Sequence, residues 1–251
     1  MKILILADIH ANWEALSALA QVERDWDACL FIGDAVDYGV TPGPCIDWVR
    51  EHATAWVRGN HDHAVAQRVP ARGGSGYRGL AAATRPLHWD QLNATQMGFL
   101  ARMPVTRYID LGDTTFFLVH GTPHDPLDEY LAENPQLWQK RLEDVQADFV
   151  CVGHTHLPFH LKLDHTQVIN PGSVGQPRDG DWRGSYAIVE DGRVSLRRFE
   201  YDLEAAVQSL RKAGLNEEAF QVAETALRTG GQVSLNGIST PFKPVMADRA
   251  L

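Results

Sequence analysis

The sequence predicts an α/β protein whose strands carry metal-binding side chains at their carboxyl ends. Runs rich in β-branched and other apolar residues alternate with segments whose apolar residues recur at three- and four-residue spacing. This alternation is typical of repeated β-α units, which favour a largely parallel sheet covered by helices on both faces. Several of the apolar runs end in aspartate, asparagine or histidine. Because open α/β sheets bind ligands at the carboxyl ends of their strands, these polar groups indicate one shared site.

The composition is that of an ordinary globular protein. The 251 residues are 44% hydrophobic and 22% charged, enough for one large core and a small appendage. A net charge of −9 leaves no basic field for long nucleic acid, so a phosphate-bearing ligand would have to be held locally, by metals or a few arginines. The three cysteines, Cys29, Cys45 and Cys151, are too widely spaced for a disulfide framework. Without a signal-peptide pattern or an apolar run of membrane-spanning length, we expect a cytoplasmic protein with no membrane contact.

The stretch from Cys29 to Gly39 organises the site. It is an apolar run that ends in Gly33 and Asp34, with Asp37 close behind. Taken alone, a Gly-Asp pair after a strand is more often a turn or a helix cap than a metal site. Four further clusters of oxygen and imidazole donors at the ends of other apolar runs favour a shared metal centre. They are Asp8-Ile9-His10, Gly59-Asn60-His61-Asp62, His120-Gly121 and Gly153-His154-Thr155-His156.

The first half of the chain contains the β-α units and an irregular middle segment. A helix is predicted to follow Asn12, which can cap it, and a second helix opens at Thr41-Pro42-Gly43-Pro44. Residues 63–104 change to a Gly-rich loop followed by helical segments such as 91–103. The loop is compatible with a mobile lid or with a plain surface connection.

The second half is predicted to be mainly strand and then helix. A hairpin over 105–110 and 114–120 precedes a helix over 136–145, and the runs after His156 predict a second, antiparallel-rich sheet. Amphipathic patterns predict two helices over 203–213 and 217–227, followed by a loosely held polar end. We therefore predict a main domain over residues 1–200 and a C-terminal helical appendage over 201–251 packed on it.

The segment from Asn170 to Arg178 is too rich in turn-forming residues for regular structure. It is compatible with a tight connection, and equally with a glycine-containing loop that wraps a phosphate and ends in an arginine.

The donor set restricts the metal chemistry. Asp, Asn and His without thiolates suit divalent ions of intermediate hardness, such as Mn²⁺, Fe²⁺, Co²⁺, Ni²⁺ or Zn²⁺. Seven or eight ligands exceed what one catalytic ion with an open position needs. Two ions about 3.5–4 Å apart, bridged by one carboxylate, would use them.

The ordered set of motifs resembles the calcineurin-like metallophosphoesterase family from residue 1 to about residue 200. The set is Asp8-x-His10, Gly33-Asp34-x-x-Asp37, Gly59-Asn60-His61-Asp62, His120 and Gly153-His154-x-His156. Within the family, Asn12 and the 170–178 loop look most similar to the bacterial branch of diadenosine tetraphosphate hydrolases and small phosphodiesterases.

The resemblance implies a four-layer α/β/β/α sandwich of two mixed sheets, with a dinuclear site that holds two divalent ions, Mn²⁺ being expected and Fe, Zn, Ni or Co the alternatives. It implies Asp8, His10 and His156 as ligands of one ion, Asn60, His120 and His154 as ligands of the other, and Asp34 as the bridge. His61, held by Asp37, would be the general acid or would orient the substrate. Asn12 and Arg178 would contact the substrate.

One position departs from the family pattern. Where many relatives have arginine directly after the second aspartate, this chain has Tyr38. We therefore expect a different phosphate clamp, provided by Arg178 or by an arginine of the middle segment such as Arg85.

These features predict a metal-dependent phosphoesterase that acts on a small or nucleotide-like phosphate ester. A hydroxide shared by the two ions would attack phosphorus in line, and His61 would protonate the departing alkoxide. His61 as a further metal ligand is an alternative that the sequence leaves open. At the level of function, the alternatives are a diadenosine-tetraphosphate-type pyrophosphohydrolase and a non-catalytic metal- and phosphate-binding sensor.

Overall fold

The computed structural model describes residues 1–235 and 238–239, with side chains through residue 233. The strands in chain order are β1 (Lys2–Leu6), β2 (Ala28–Phe31), β3 (Ala55–Trp56), β4 (Thr106–Leu111), β5 (Thr114–Val119), β6 (Phe149–Cys151), β7 (Phe159–Lys162), β8 (Gln167–Asn170), β9 (Gly184–Glu190), β10 (Arg193–Phe199), β11 (Ser234–Leu235) and β12 (Ile238–Ser239). The helices are α1 (Trp13–Val22), α2 (Pro42–His52), α3 (Asn60–Ala66), α4 (Gly76–Gln91), α5 (Ala94–Arg102), α6 (Pro135–Arg141), α7 (Leu203–Lys212) and α8 (Glu217–Thr229).

Two five-stranded mixed sheets form the centre of the molecule. The first has the order β10-β9-β1-β2-β3, in which β1, β2 and β3 are parallel and β9 and β10 antiparallel. The second has the order β4-β5-β6-β8-β7, in which β5, β6 and β8 are parallel and the edge strands β4 and β7 antiparallel. All parallel strands therefore deliver their carboxyl ends to a common edge in each sheet.

The layers follow from the apolar faces of the strands. Residues of both sheets, such as Ile5, Leu30, Phe116 and Ile169, pack together in one buried cluster between the sheets. A larger cluster joins the outer face of the first sheet to most of the helices, and a smaller one packs Trp138 of α6 on the second sheet. This arrangement confirms the predicted α/β/β/α sandwich.

The predicted antiparallel-rich second sheet is wrong in one respect, because β9 and β10 belong to the first sheet. Ile3 pairs with Val189 and Ile5 with Ala187, so β9 lies beside β1 in the interior and is buried at all but its last residue. The alternating pattern and the turn at Asp191 identify the hairpin correctly. Pairing with a strand some 180 residues earlier in the chain depends on long-range packing, which local patterns do not encode.

Several predicted helices are confirmed with small shifts of their ends. The Asn12 side chain caps α1 by accepting a hydrogen bond from the Ala15 amide at 3.0 Å. The predicted segment over 91–103 corresponds to α5, and the long α4 is a further helical segment after the Gly-rich loop, for which no bounds were predicted. The short α3 was not predicted. Helices α7 and α8 contribute Val207, Phe220 and other residues to the large outer cluster. The division at residue 200 stays a prediction, and most of the predicted loose end lies outside the described residues.

All three cysteines are buried and unpaired, as expected from their spacing. Among the described residues, no helix combines the length and the apolar character needed to span a bilayer.

Candidate metal centre and active-site cleft

Six predicted ligands meet in two buried groups at the carboxyl ends of strands from both sheets. Within each group the ligand atoms lie within 4.8 Å of one another. The groups are Asp8, His10 and His156, and Asp34, His120 and His154. Asp8, His10 and His156 come together as the sequence analysis expects, and so do His120 and His154, while Asp34, expected as the bridge, lies in the second group.

Backbone carbonyls determine the tautomers of the first group. His10 Nδ1 lies 2.8 Å from the Val36 carbonyl and His156 Nδ1 lies 2.5 Å from the Gln176 carbonyl. Because a carbonyl only accepts, each Nδ1 carries the proton and each Nε2 presents a lone pair. The two Nε2 atoms are 3.1 Å apart. Burial lowers the pKa of His10 to about 3 and that of His156 in the same direction, so both rings are neutral ligands facing one point.

The second group is built in the same way and is joined to the first by Asp34. His120 Nδ1 lies 2.8 Å from the Ile32 carbonyl, and its Nε2 lies 3.1 Å from His154 Nδ1. Asp34 Oδ2 is 3.2 Å from His120 Nε2 and 3.8 Å from His10 Nε2. One carboxylate oxygen therefore lies between the two groups, which is the position of a bridging ligand.

Several buried side-chain atoms of the site have no hydrogen-bond partner among the described residues, and their chemistry fits divalent cations. Four side-chain atoms in the site are fully buried and make no hydrogen bond to any residue that the structure describes. They are Asp8 Oδ1, Asp34 Oδ2, Asn60 Oδ1 and His154 Nε2. Leaving such atoms unpaired costs about 1–3 kcal/mol each, more for charged groups, and coordination to a cation removes the cost. Asn60, the first residue of α3, thus supplies a candidate amide ligand beside the two groups.

Burial and neighbouring charges shift the pKa values of the acidic and basic groups in the site. Burial raises the pKa of Asp8 well above its usual value. Burial also acts against ionisation of Asp34 and His120, but their mutual attraction outweighs it, so the pKa of Asp34 falls well below its usual value and that of His120 rises to about 10. Without cations the site therefore holds protons in their place, and cation binding must displace them.

Backbone strain is concentrated at these residues. Ten non-glycine residues in the described part of the chain have positive φ, and six of them are the predicted site residues Asp8, His10, Asp34, Asp37, His154 and His156. Ala11 and Tyr38 lie between them in the chain. Conformations of this kind cost about 1–3 kcal/mol each and persist where surrounding contacts impose them, as at binding sites.

Asp62 supports the site and was not identified as functional from the sequence. It is fully buried and accepts hydrogen bonds from the amides of Asp34, Ala35 and Gly59 at 2.8, 2.8 and 3.1 Å. A Cβ at Gly59 would lie 2.0 Å from Asp34 Oδ1, so only glycine allows this approach. Burial and the neighbouring Asp34 raise the pKa of Asp62 to about 7. The signal was present in the sequence, since Asp62 is the third residue of a helix that starts after Gly59.

His61 is held by a chain of charged groups. Its Nδ1 lies 2.6 Å from Asp37 Oδ2, and Asp37 is fully buried. Arg85 donates to both oxygens of Asp37, including Nε to Oδ2 at 3.0 Å, and Arg85 Nη1 donates to the Val69 carbonyl at 3.0 Å. Burial acts against ionisation of Asp37, but His61 and Arg85 outweigh it and lower its pKa. The predicted contact between His61 and Asp37 is therefore present, and Arg85 is occupied in supporting it rather than in clamping phosphate.

A cleft of about 610 Å³ opens above the metal groups. It is lined by Asn60, His61 and His154 from the site, by three tyrosines and four arginines, and by further residues of the 69–81 segment. The Arg178 guanidinium lies against two of the tyrosines, 4.3 Å from the ring centroid of Tyr77 and 5.6 Å from that of Tyr38. Tyr38, which stands where many relatives have arginine, thus takes part in placing Arg178 in the cleft. The substrate contact of Arg178 stays a prediction.

Asn12 has a different position from the one expected for a substrate contact. Its Oδ1 caps α1 and its Nδ2 donates to the Gly175 carbonyl at 2.9 Å. It is not among the residues that line the cleft with His61. Both ends of its amide are used within the protein, so the geometry gives no support to the predicted substrate contact.

The 170–178 loop is a tight connection in its first part and brings Arg178 to the cleft at its end, whereas the predicted phosphate contact stays a prediction. Ser173 Oγ donates to the Asp8 carbonyl at 2.7 Å, and Asn170 Nδ2 donates to the Gly153 carbonyl at 2.8 Å. A Cβ at Gly175 would lie 1.8 Å from the Ile9 carbonyl oxygen. This part of the loop is a tight connection that holds ligand-bearing backbone, while its last residue, Arg178, enters the cleft.

Sequence and structure comparisons agree with this architecture. The model of the calcineurin-like phosphoesterase superfamily domain matches residues 1–191. A protein of Mycoplasma genitalium named a probable metallophosphoesterase is 33% identical over 188 residues, covering 74% of this chain and 85% of the relative. An uncharacterized protein of Methanocaldococcus jannaschii is 28% identical over 242 residues, covering 86% of this chain and 94% of the relative.

Among solved structures, a metallophosphoesterase from Sphaerobacter thermophilus superposes with a TM-score of 0.78 at 33% identity and covers 92% of this chain and 99% of its own. A hypothetical protein from Pyrococcus horikoshii superposes with a TM-score of 0.77 over the same shares of the two chains, at 21% identity. The second likeness is one of fold alone.

Proposed function

We propose that this chain, which belongs to the calcineurin-like phosphoesterase superfamily and is a metal-dependent phosphoesterase, hydrolyses a small or nucleotide-like phosphate ester at the cleft above the two ligand groups. The observation that supports this most strongly is the position of Asp34 Oδ2, which faces His120 of one group and His10 of the other. A carboxylate placed between two groups of histidines suits the bridging role in two-metal phosphoester hydrolysis.

The metals would be held by the residues expected from the sequence. Asp8, His10 and His156 would hold one cation, Asn60, His120 and His154 the other, and Asp34 would bridge them. When bound, the two cations would neutralise phosphoryl oxygens and lower the pKa of a water nucleophile. We propose Mn²⁺ as the ion, with Fe, Zn, Ni and Co as alternatives that suit the same donors.

The other groups of the cleft have separate tasks in this proposal. Asp37 accepts from His61 Nδ1, which leaves Nε2 as the nitrogen that can pass a proton to the leaving group. Arg85 helps to keep Asp37 ionised, and the Asp37 carboxylate orients the His61 ring. Arg178, fixed against Tyr38 and Tyr77, would hold a phosphoryl oxygen.

A hydrolysis assay tests the proposal. Protein reconstituted with Mn²⁺ should cleave at least one of bis-p-nitrophenyl phosphate, p-nitrophenyl phosphate and diadenosine tetraphosphate, and EDTA should abolish the activity. The substrate that is cleaved fastest decides between diesterase, monoesterase and pyrophosphohydrolase activity. Protein that binds two ions but cleaves none of the three with any of the five metals would instead be the non-catalytic sensor.

A further inference from the structure

The cleft is positively charged although the protein is acidic. Its lining contains four arginines, Arg72, Arg78, Arg85 and Arg178, against one carboxylate, Asp128. The chain as a whole has a net charge of −9. A positively charged lining in an otherwise acidic protein attracts anions to the cleft.

The four arginines differ in what they contact. Arg85 pairs with Asp37, and Arg178 lies among tyrosines and donates to Gln176 Oε1 at 3.1 Å. Both are buried. Arg72 and Arg78 are exposed, and neither makes a hydrogen bond or an ion pair within the part of the chain that the structure describes. Their guanidinium groups are therefore the exposed cations of the cleft that no described side chain engages.

The N-terminus of α4 adds to the positive electrostatic potential of the cleft. Tyr77 and Arg78, in the first turn of this 16-residue helix, line the cleft, and the first turn contains no acidic residue. The Ser75 side chain makes no capping hydrogen bond. The partial positive charge of the helix N-terminus is thus added to that of the two guanidinium groups.

The size of the cleft shows that one phosphoryl group does not fill it. A volume of about 610 Å³ is in the range of sites for ligands as large as a nucleotide. The reacting phosphoryl group would occupy the end near His61 and His154. The remaining space, toward Arg72 and Arg78, would receive the rest of the substrate.

We infer that Arg72 and Arg78 form a second anion subsite, so that the enzyme prefers a phosphate ester that carries another phosphate group distant from the one it hydrolyses. The inference rests on the proposed function for the location of the reacting phosphate. Guanidinium groups suit this task because they bind phosphate oxygens in a planar, two-pronged contact.

Calorimetric titration of Mn²⁺-loaded protein with two nucleotides tests the subsite without depending on turnover. Adenosine 3′,5′-bisphosphate should bind about tenfold or more tightly than adenosine 5′-monophosphate, the expected gain for one charge-assisted contact. In the double variant Arg72→Gln, Arg78→Gln the bisphosphate should lose this advantage, whereas the affinity for the monophosphate should change much less. The advantage should also shrink as salt is raised, because the arginines are exposed.

Arg68→Gln is the matched control, since Arg68 is exposed, lies four residues before Arg72 and does not line the cleft. It should keep the preference for the bisphosphate. Equal affinities of the wild type for the two nucleotides, or an equal loss in the Arg68 control, would overturn the subsite. If the preference is present but no phosphate ester is cleaved, the subsite stands and the proposed function fails.

Discussion

At the scale of single residues, the site depends on which nitrogen of each histidine carries its proton. His10, His120 and His156 each place Nδ1 at hydrogen-bonding distance from a backbone carbonyl, and each directs Nε2 into the site. His61 is different, because its Nδ1 faces a carboxylate and its ring lines the cleft. The first three rings are therefore suited to ligation, and His61 to proton transfer.

His61→Gln should separate these roles. We expect the variant to keep two ions and to lose roughly 10²–10⁴ in rate on a substrate with a poor alkoxide leaving group, the usual range for lost acid-base assistance. The loss should be much smaller with a nitrophenolate leaving group, because that anion departs without a proton. The measurement is kcat on both substrates, together with the metal content of each preparation.

Asp37→Asn is the companion variant and should show a milder form of the same selectivity. Equal losses on both leaving groups, with metal retained, would make His61 a substrate-orienting residue. Loss of metal together with activity would place His61 among the ligands.

Arg178→Ala should weaken substrate binding without affecting the metals. Removing a two-pronged contact to a phosphoryl oxygen should lower kcat/KM by about tenfold to a hundredfold. Arg178→Lys keeps the positive charge but lacks the two-pronged guanidinium group, so it should recover part of the lost kcat/KM. Unchanged kinetics on every substrate would mean that Arg178 only packs against its tyrosines.

At the scale of elements, the C-terminal helices reach the cleft through the end of α8. Gly230 ends this helix with φ 60°, and its carbonyl accepts from the Gly180 amide at 2.9 Å. The Gly231 carbonyl accepts from the Tyr77 hydroxyl at 3.0 Å. The end of α8 is thus fixed to both the segment after Arg178 and the tyrosine beneath its guanidinium group.

Gly231→Ala should therefore affect catalysis as well as stability. The residue has φ 87°, and an added Cβ would lie 2.6 Å from Arg178 Cα. We expect a loss of about 1–3 kcal/mol in unfolding free energy from backbone strain and a severalfold rise in KM with both metals retained. Thermal unfolding and steady-state kinetics measure the two effects.

Gly214→Ala provides the control, because Gly214 has φ 74° and its Cβ would meet nothing within 4 Å. It should show the stability loss alone. A rise in KM of the same size in both variants would mean that the end of α8 does not position Arg178.

The sequence predicts the positions of the site residues better than it predicts which strands pair. Asp34 and His154 could each be placed at the carboxyl end of a strand, the ligand-binding edge of its sheet, whichever strands are neighbours. The partner of β9 could not be predicted, since strand pairing is decided by packing across the whole chain. The position of Tyr77 in the cleft is likewise decided by packing across the whole chain, and nothing in its local sequence indicates that position.

At the scale of the whole molecule, the site joins the two sheets, and its ionisation is coupled to folding. Asp8 and Asp34 follow strands of the first sheet, and His120 and His154 follow strands of the second. Cations bound between them would link the two halves of the sandwich. Stability should therefore depend on metal and on pH together.

The metal-free protein should become less stable as the pH rises toward 10. Burial opposes protonation of His120, but Asp34 outweighs it and raises the pKa of His120 from 6.5 to about 10. A group whose pKa is raised by folding stabilises the fold fully below its unfolded pKa, and this contribution is lost as the pH rises through the folded value. Thermal unfolding in EDTA between pH 6.5 and 10 should show a falling Tm.

Two comparisons complete that experiment. His120→Asn should flatten the dependence on pH, because the titrating group is gone. In the wild type, the gain in Tm from added Mn²⁺ should grow with pH, because cations bind the deprotonated ligands. A Tm in EDTA that is independent of pH would contradict the proposed ionisation of His120.

The central claim, a dinuclear centre bridged by Asp34, is tested most directly by elemental analysis of protein that has been stripped, reconstituted with Mn²⁺ and freed of excess metal. We predict about two ions per wild-type chain, since the two ligand groups form two sites. In Asp34→Asn both ions should be weakened together, because the substitution removes the charge that both share. No more than one ion per wild-type chain, or an Asp34→Asn protein that keeps both ions at full affinity, would contradict the account.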